Sequence, residues 1–457
     1  MAADAGHWLR STHHGHTLQL PAPTRDPTVR LPVNAGSGIG FPARRRILLI
    51  CPEPPAPPTW GFALRVYHLG RELARRHSVT LLTYAMGDES RDWRHLEELF
   101  TVHRVPPPSA LRSKRRAQLR SLLSRRSFHI GSLGSPAMQR AIDELNARQP
   151  FDVIQVESSQ MSGFNFPRRP VLVLDAHNIE HDLFRRVAAV ETSPPRRLYQ
   201  SIEQRKLKRE EAAAWCRANG CAVTSAEDER VVRQAAPGTP TRVVPNGVDL
   251  NHFHPSADAV DPDSIVFVGS INYRPNTDAA LHFAERILPL VRGRRPGAVF
   301  SVVGQGAPEA VRRLEGPGVR ILGGVPDVRP HLARAGVVAV PLRMGSGTRL
   351  KVLEGLAMGK AIVSTRLGCE GIEVVDGEHL LIADAPEAFA DAVARLIGDA
   401  ELRRRLGEAG RKLVERRYGW ETVAAELDAF HADLLGLVPG TRAARPLTSG
   451  AGVPGGA

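Results

Sequence analysis

The sequence predicts an α/β protein of two domains, each built on a doubly wound parallel sheet. Three observations predict it. The chain has 457 residues, 42% of them hydrophobic, enough for two separate cores. Short apolar runs alternate with stretches of helical periodicity along most of its length, as in parallel sheets with crossover helices. Glycine turns follow two of those runs, at Gly269 and Gly345, where open parallel sheets receive ligands.

Residues 1–44 are rich in His, Pro, Gly and Thr without periodicity and read as a disordered tail. Residues 46–51 (Arg46-Ile47-Leu48-Leu49-Ile50-Cys51) read as a first buried strand, leading into a proline-rich loop that carries Trp60-Gly61-Phe62. A helix is expected over 64–76, with Val66, Leu69, Leu73 and Ala74 on one face, and a second strand over 78–84. Strands follow at 151–157 and 171–175, then a charged helix over 195–218 and a closing strand at 222–225. In the second half strands are expected at 264–268, 298–303, 319–322, 337–341 and 361–364, and a last helix over 418–435. Residues beyond about 436 are rich in Gly, Ala and Pro. The predicted division is a tail 1–44, an N-terminal domain 45–240, a C-terminal domain 241–415, the last helix 416–435 and a tail 436–457.

Composition narrows the setting. The four cysteines, Cys51, Cys216, Cys221 and Cys369, have neither metal-ligand spacing nor a disulfide framework, which predicts a reducing compartment. No apolar run approaches the roughly 18 residues of a membrane span, and the N-terminus lacks the apolar centre of a signal peptide. The expected location is cytoplasmic, peripheral at the inner face of the membrane. The net charge of +13 is unevenly spread. Residues 101–140 contain no Asp or Glu, while Arg112, Lys114, Arg115, Arg116, Arg120, Arg125 and Arg126 interleave with Leu111, Leu119, Leu122 and Leu123. Residues 111–126 therefore read as a basic amphipathic helix suited to an anionic membrane surface. The plainer alternative is a solvated basic helix with its leucines packed inward. Nucleic acid would also suit the charge, but no helix-turn-helix, RNA-recognition or zinc signature is present, so it is not expected as a partner.

The densest chemistry lies at Gly345-Ser346-Gly347-Thr348-Arg349-Leu350-Lys351-Val352-Leu353-Glu354. A glycine turn between strand and helix gathers free backbone N–H groups and the positive end of a helix dipole, which suits a phosphate. Arg349 and Lys351 add cations for a diphosphate, and Glu354, about one turn on, is placed for sugar hydroxyls. The segment is neither a Walker loop nor a dinucleotide fingerprint, and by itself it reads equally as an ordinary strand–turn–helix crossover with solvated charges.

That segment belongs to an ordered set: Val244-Pro245-Asn246-Gly247-Val248-Asp249, Phe267-Val268-Gly269-Ser270, Val302-Val303-Gly304-Gln305-Gly306, Gly323-Gly324-Val325-Pro326-Asp327 and Gly377-Glu378-His379-Leu380-Leu381. In order and spacing the set resembles the retaining, nucleotide-sugar-dependent family 4 glycosyltransferases of the GT-B fold, over about residues 46–435. The resemblance implies two Rossmann-like domains facing a cleft, with the C-terminal helix crossing back onto the first domain. It implies transfer of a sugar from a nucleotide-diphosphate-sugar to an acceptor hydroxyl with retention, in polysaccharide or glycolipid assembly. The acceptor would be a saccharide or lipid-linked. No cofactor is expected, nor an obligatory metal, since no Asp-x-Asp motif occupies a suitable strand end.

The resemblance also implies roles. Glu354 matches the second glutamate of the family's paired-glutamate motif and would bind the donor ribose, whereas the first falls at Ser346. Backbone groups of Ser346, Gly347 and Thr348 would then serve the donor. Arg349 and Lys351 would stabilise the leaving diphosphate, with Gly269 at the turn and Arg274 standing in for a displaced cation. Val325 would present backbone to the base, Gly61 would let the donor phosphate or acceptor approach, and His177 would contact the sugar near the reacting carbon, with His181 its competitor. Glu157, at a strand end, would meet acceptor hydroxyls or be an ordinary strand-end charge. A sugar-nucleotide epimerase or hydrolase, and a non-catalytic GT-B subunit, are the alternatives.

Overall fold

A computed structural model describes residues 44–58, 60–86, 93–108, 110, 114–189, 191, 193–345, 347 and 349–437. The predicted tails other than Arg44, Gly436 and Leu437 lie outside the described residues, as do Leu111, Arg112, Ser346 and Thr348; Gly436 and Leu437 belong to the last helix instead. Seven parallel strands form the first sheet: β1 (Arg46–Cys51), β2 (Ser78–Tyr84), β3 (Thr101–Val105), β4 (Val153–Glu157), β5 (Val171–Ala176), β6 (Gly220–Val223) and β7 (Thr241–Val243), in the order β3-β2-β1-β4-β5-β6-β7. Six form the second: β8 (Asp261–Val268), β9 (Val299–Val303), β10 (Val319–Gly323), β11 (Ala335–Val340), β12 (Ile362–Ser364) and β13 (Leu381–Ile382), in the order β10-β9-β8-β11-β12-β13. Helices cover both faces. The central strands are therefore apolar throughout, as in Leu48, Leu49 and Ile50 or Val337, Val338 and Val340, all nearly inaccessible.

Sequence reading passed over β3, β7 and β13. Each has a physical reason to be inconspicuous. All three are edge strands, β3 is polar and half exposed, and β13 has two residues.

Strand order reverses between β1 and β4 in one sheet and between β8 and β11 in the other. These are the points at which a doubly wound sheet opens a crevice at the carboxyl ends of its strands. Leu350 Cδ1 lies 3.8 Å from where a side chain on Gly61 would begin, so the two crevices meet.

The last helix, Trp420–Leu437, crosses back as expected. Its Trp420, Val423, Leu427, Phe430 and Leu434 belong to the core of the first sheet. Asp428 on it bonds Arg45 Nη1 at 2.5 Å and His77 Nε2 at 2.8 Å, and His431 Nε2 reaches Gln155 Oε1 at 2.9 Å. The crossing point is tight. A Cβ on Gly247 would stand 2.7 Å from the Trp420 ring, so the linker between the sheets needs glycine there.

The basic segment forms a helix, Lys114–Leu122, whose leucines do not pack inward. Leu119, Leu122 and Leu123 are 65%, 41% and 95% exposed. The long helix Pro194–Arg217 holds this segment through polar groups instead. Glu203 accepts from Ser121 Oγ and from the Phe128 amide, Lys206 donates to the Ser121 carbonyl, and Glu210 accepts from the Ser127 amide.

Candidate active site

The C-terminal half of the site is built where β8 and β11 end. After β8 the chain turns at Gly269, and helix Arg274–His282 begins. After β11 it turns through Gly345 and Gly347, with φ of +117° and +77°, conformations that favour glycine. Helix Leu350–Ala357 then starts with Arg349 as its N-cap residue. Val352, Leu353 and Leu356 anchor this helix in the core, which leaves Lys351 and Glu354 on another side.

Lys351 lies directly beneath the Gly269 turn. Its Nζ donates to Asn276 Oδ1 at 2.7 Å, stands 4.2 Å from the Phe267 ring centroid, and is 2.8 Å from where a Gly269 Cβ would be. Asn276 in turn donates to the Ser270 carbonyl at 2.9 Å. Burial, reinforced by the neighbouring Arg349 charge, pushes the Lys351 ammonium down to about 7. Burial pushes the Glu354 carboxyl up to about 7, against the pull of Lys351. Among the described residues no donor is bonded to Glu354. Arg349 is 7% exposed, and burial lowers its guanidinium from the ordinary value. Three charged groups thus gather on one short segment behind the two glycine turns, Arg349 buried and Lys351 and Glu354 half-buried. Such a cluster suits a polyanion with hydroxyls attached.

The backbone around these groups is close-packed. A Cβ on Gly304 would fall 1.7 Å from the Gly269 carbonyl oxygen, so the turns after β8 and β9 pack main chain to main chain. Val325 is partly buried against the second core, which fixes its turn. Arg274, at the start of its helix, is exposed.

The N-terminal half lies opposite. His177 follows β5 and is 8% exposed. Its Nε2 bonds Glu157 Oε2 at 2.8 Å and lies 3.5 Å from Asp175 Oδ2, and its ring packs against Phe62 at 4.9 Å. Burial alone would lower its pKa, but the Asp175 and Glu157 carboxylates outweigh burial and raise it. His181, its competitor in the sequence, bonds Glu211 Oε2 at 2.8 Å on the long helix and is committed there. Glu157, expected to meet an acceptor, is turned inward instead. It is 1% exposed, and its other oxygen accepts from Gln155 at 2.7 Å. A β-strand residue at this position points into the sheet's cover, not along the strand axis into the cleft.

Sequence reasoning missed four residues. Arg65 is 1% exposed and grips Asp175 with both arms, at 2.9 and 2.8 Å, while also donating to the Pro245 carbonyl and to Asn246 Oδ1. Its only signal was its place four residues before Leu69 on the buried helix face. Asn276 had none beyond its position near a helix start. Arg186 donates to the Gly345 carbonyl at 3.2 Å and to both oxygens of Glu370, so it ties the first domain to the glycine turn of the second. Asn178 presses on the same turn: its Oδ1 is 2.6 Å from where a Gly347 Cβ would sit.

Glu157, Asp175 and His177 have one ligand atom each within 4.8 Å of one another, close enough for a cation. The Arg65 guanidinium already takes both oxygens of Asp175 and brings positive charge to that spot.

Comparison with known proteins agrees with this architecture. Residues 61–247 match the family model for a glycosyl transferase 4-like domain, and residues 262–399 match the model for glycosyl transferases group 1. Together the matches span well over half of the chain. The chain belongs to the group 1 glycosyltransferases. Among curated proteins it is 33% identical over 218 residues to D-inositol 3-phosphate glycosyltransferase of Xylanimonas cellulosilytica, 41% of this chain and 50% of that one. It is 28% identical over 234 residues to a GDP-mannose-dependent phosphatidylinositol monomannoside mannosyltransferase of Mycobacterium tuberculosis, 46% of this chain and 60% of that one. The chain thus spans about half to three fifths of the length of these relatives. Two GT-B neighbours among solved structures share the fold. Sucrose-phosphate synthase of Thermosynechococcus elongatus has a TM-score of 0.65 at 20% identity, over 86% of this chain and all of that one. HepE of Anabaena, in complex with UDP and glucose, has a TM-score of 0.60 at 15% identity, over 85% of this chain and all of that one. In this member of the family Lys351, Arg349 and Glu354 stand on the side of the second sheet, and His177 stands on the side of the first.

Proposed function

We propose that this glycosyltransferase moves a sugar from a nucleoside-diphosphate donor to a hydroxyl of a saccharide or lipid-linked acceptor, with retention of configuration. The observation that carries the proposal is the grouping of buried Arg349 with half-buried Lys351 and Glu354 behind the glycine turns. As the anomeric C–O bond breaks, negative charge grows on the departing diphosphate. Arg349, Lys351 and the amide end of helix Leu350–Ala357 answer that charge without a metal. Glu354 accepts from the ribose hydroxyls. Val325 and the Gly269 turn border the base and phosphates. His177 meets the sugar from the opposite wall, and the acceptor hydroxyl attacks on the face the diphosphate leaves, passing its proton to the departing phosphate oxygen. Kinship with glycosyltransferases whose names include inositol phosphate and phosphatidylinositol mannoside supports an acceptor of that polar, glycolipid-related kind.

The decisive experiment is calorimetric titration with UDP, GDP, ADP and dTDP, each with magnesium and with EDTA. Selective binding of one diphosphate, equal in EDTA and abolished by Lys351→Ala with Glu354→Ala, is the expected result. A folded protein that binds none of them would sink the proposal. Retention is read from the anomeric coupling of the product by NMR.

We also infer that the exposed leucines of the Lys114–Leu122 helix, with Arg120, Arg125 and Arg126, rest on an anionic membrane. Leucines that are exposed while the backbone is clamped from behind fit an interfacial helix better than a solvated one. Flotation should carry the protein with phosphatidylglycerol vesicles but not with phosphatidylcholine ones, and serine at Leu119, Leu122 and Leu123 should abolish it. A wild-type protein left behind by both vesicle types would refute the inference.

A further inference from the structure

The carboxylates beneath His177 have no part in the chemistry above, yet they are among the most buried charges of the fold. Glu157 is 1% and Asp175 0% exposed. Both face one edge of the imidazole, at Nε2. The other nitrogen, Nδ1, is buried and has no hydrogen-bond partner among the described residues. Nδ1 lies across the ring from the carboxylates, in a loop that presses through Asn178 on the Gly347 turn. A buried ring nitrogen left without a partner is costly unless something arrives to meet it.

We propose that Glu157 and Asp175 are positioning residues that hold the His177 ring in one orientation and as an imidazolium, so that Nδ1–H is presented to an acceptor oxygen of the bound donor. The donor half of this statement rests on the proposed function; the charge state of the ring does not. The charges around the ring support it. Arg65 neutralises Asp175 through two hydrogen bonds, and Gln155 donates to Glu157, so neither carboxylate is free to swing away. The titratable groups facing the ring from the elements packed on it are Glu157 of β4, Asp175 of β5 and, through Asp175, Arg65 of the first helix. Cys51 and Glu53 at the end of β1 lie in the same field. Burial raises the Glu157 carboxyl, against the pull of His177 and Arg65. Of the two carboxylates Arg65 is bonded to Asp175 alone, and a protonated His177 brings the positive charge that keeps Glu157 ionised. Phe62 covers the ring face and keeps its plane. A neutral ring would place its hydrogen on Nε2, toward Glu157, and leave a lone pair on Nδ1. That arrangement could only accept a hydrogen bond. The imidazolium donates one, which suits the side of a leaving phosphoryl oxygen or a sugar oxygen.

The test uses the full chain labelled with 15N-histidine and needs no substrate. Long-range 15N–1H spectra distinguish the imidazolium from each neutral tautomer, and His177→Gln assigns the signal. His177 should remain doubly protonated at pH 7. Glu157→Gln should move its titration down by at least about one pH unit, the loss expected when a close opposite charge is removed. A neutral Nε2–H tautomer at pH 7 in the wild type would overturn the proposal without any variant, and so would a titration unmoved in folded Glu157→Gln. With donor, the alkaline limb of kcat should shift the same way in Glu157→Gln while KM for acceptor stays unchanged. A packing role alone would lower activity at all pH values and leave the limb in place. If the protein bound no nucleotide, the donor role would fall, and the ring's charge state would still be decided by the spectra.

Discussion

Proton exchange on donor binding offers the sharpest check of the site. Burial pushes the Lys351 ammonium down to about 7 and the Glu354 carboxyl up to about 7. A diphosphate beside Lys351 favours its charged form, and ribose hydroxyls bonded to Glu354 favour its carboxylate. The signs are therefore opposite. At pH 8 the free Lys351 amine is about nine tenths neutral, Glu354 is already ionised, and binding should take up close to one proton. At pH 6 Lys351 is already charged and Glu354 about nine tenths protonated, so binding should release close to one. Net exchange should pass through zero near pH 7. Above it, affinity should weaken, approaching tenfold per pH unit. The assay is calorimetry in buffers of different ionisation enthalpy, with an intact nucleoside-diphosphate sugar as ligand because its diphosphate does not titrate in this range. Lys351→Ala should abolish the uptake at pH 8 and leave the release at pH 6. Tight binding at pH 8 with no proton taken up, or uptake that survives Lys351→Ala, would refute the placement of the diphosphate on Lys351.

Other consequences follow from the same geometry. Arg65→Ala leaves Asp175 buried without its partner and should lower stability by about 3–5 kcal/mol, measured by urea unfolding at pH 7. Gly304→Ala forces a methyl group into the Gly269 carbonyl; it should cost about 1–3 kcal/mol and weaken diphosphate binding even where the protein stays folded. Arg186→Ala removes the tie to Gly345 and Glu370. It should leave the melting temperature nearly unchanged, enlarge the radius of gyration by small-angle scattering, and weaken donor binding by about 1 kcal/mol, roughly fivefold.

What could be read from the sequence follows from what is local. Central strands such as Ile47–Ile50 and Val337–Val340 are buried on both faces, so they announce themselves as unbroken apolar runs. The turns at Gly269 and Gly345 are local too, and so is the short run that carries Arg349, Lys351 and Glu354, but spacing alone left it open as an ordinary crossover, and its donor role came from the ordered set of motifs around it. The edge strands β3, β7 and β13 were not, because half-exposed or two-residue strands need no apolar pattern. The orientation of long-range partners was also out of reach. Glu157 read as an acceptor ligand because it ends a strand, yet only the approach of His177, twenty residues on, turns it into that ring's partner. Arg65 meets Asp175 across 110 residues and Asn246 across 181. The leucines of the basic helix showed their amphipathic spacing, but whether they faced the core or the outside depended on Glu203, Lys206 and Glu210 of a distant helix. A helix period specifies which residues share a face, and only the packing of the whole chain decides what that face meets.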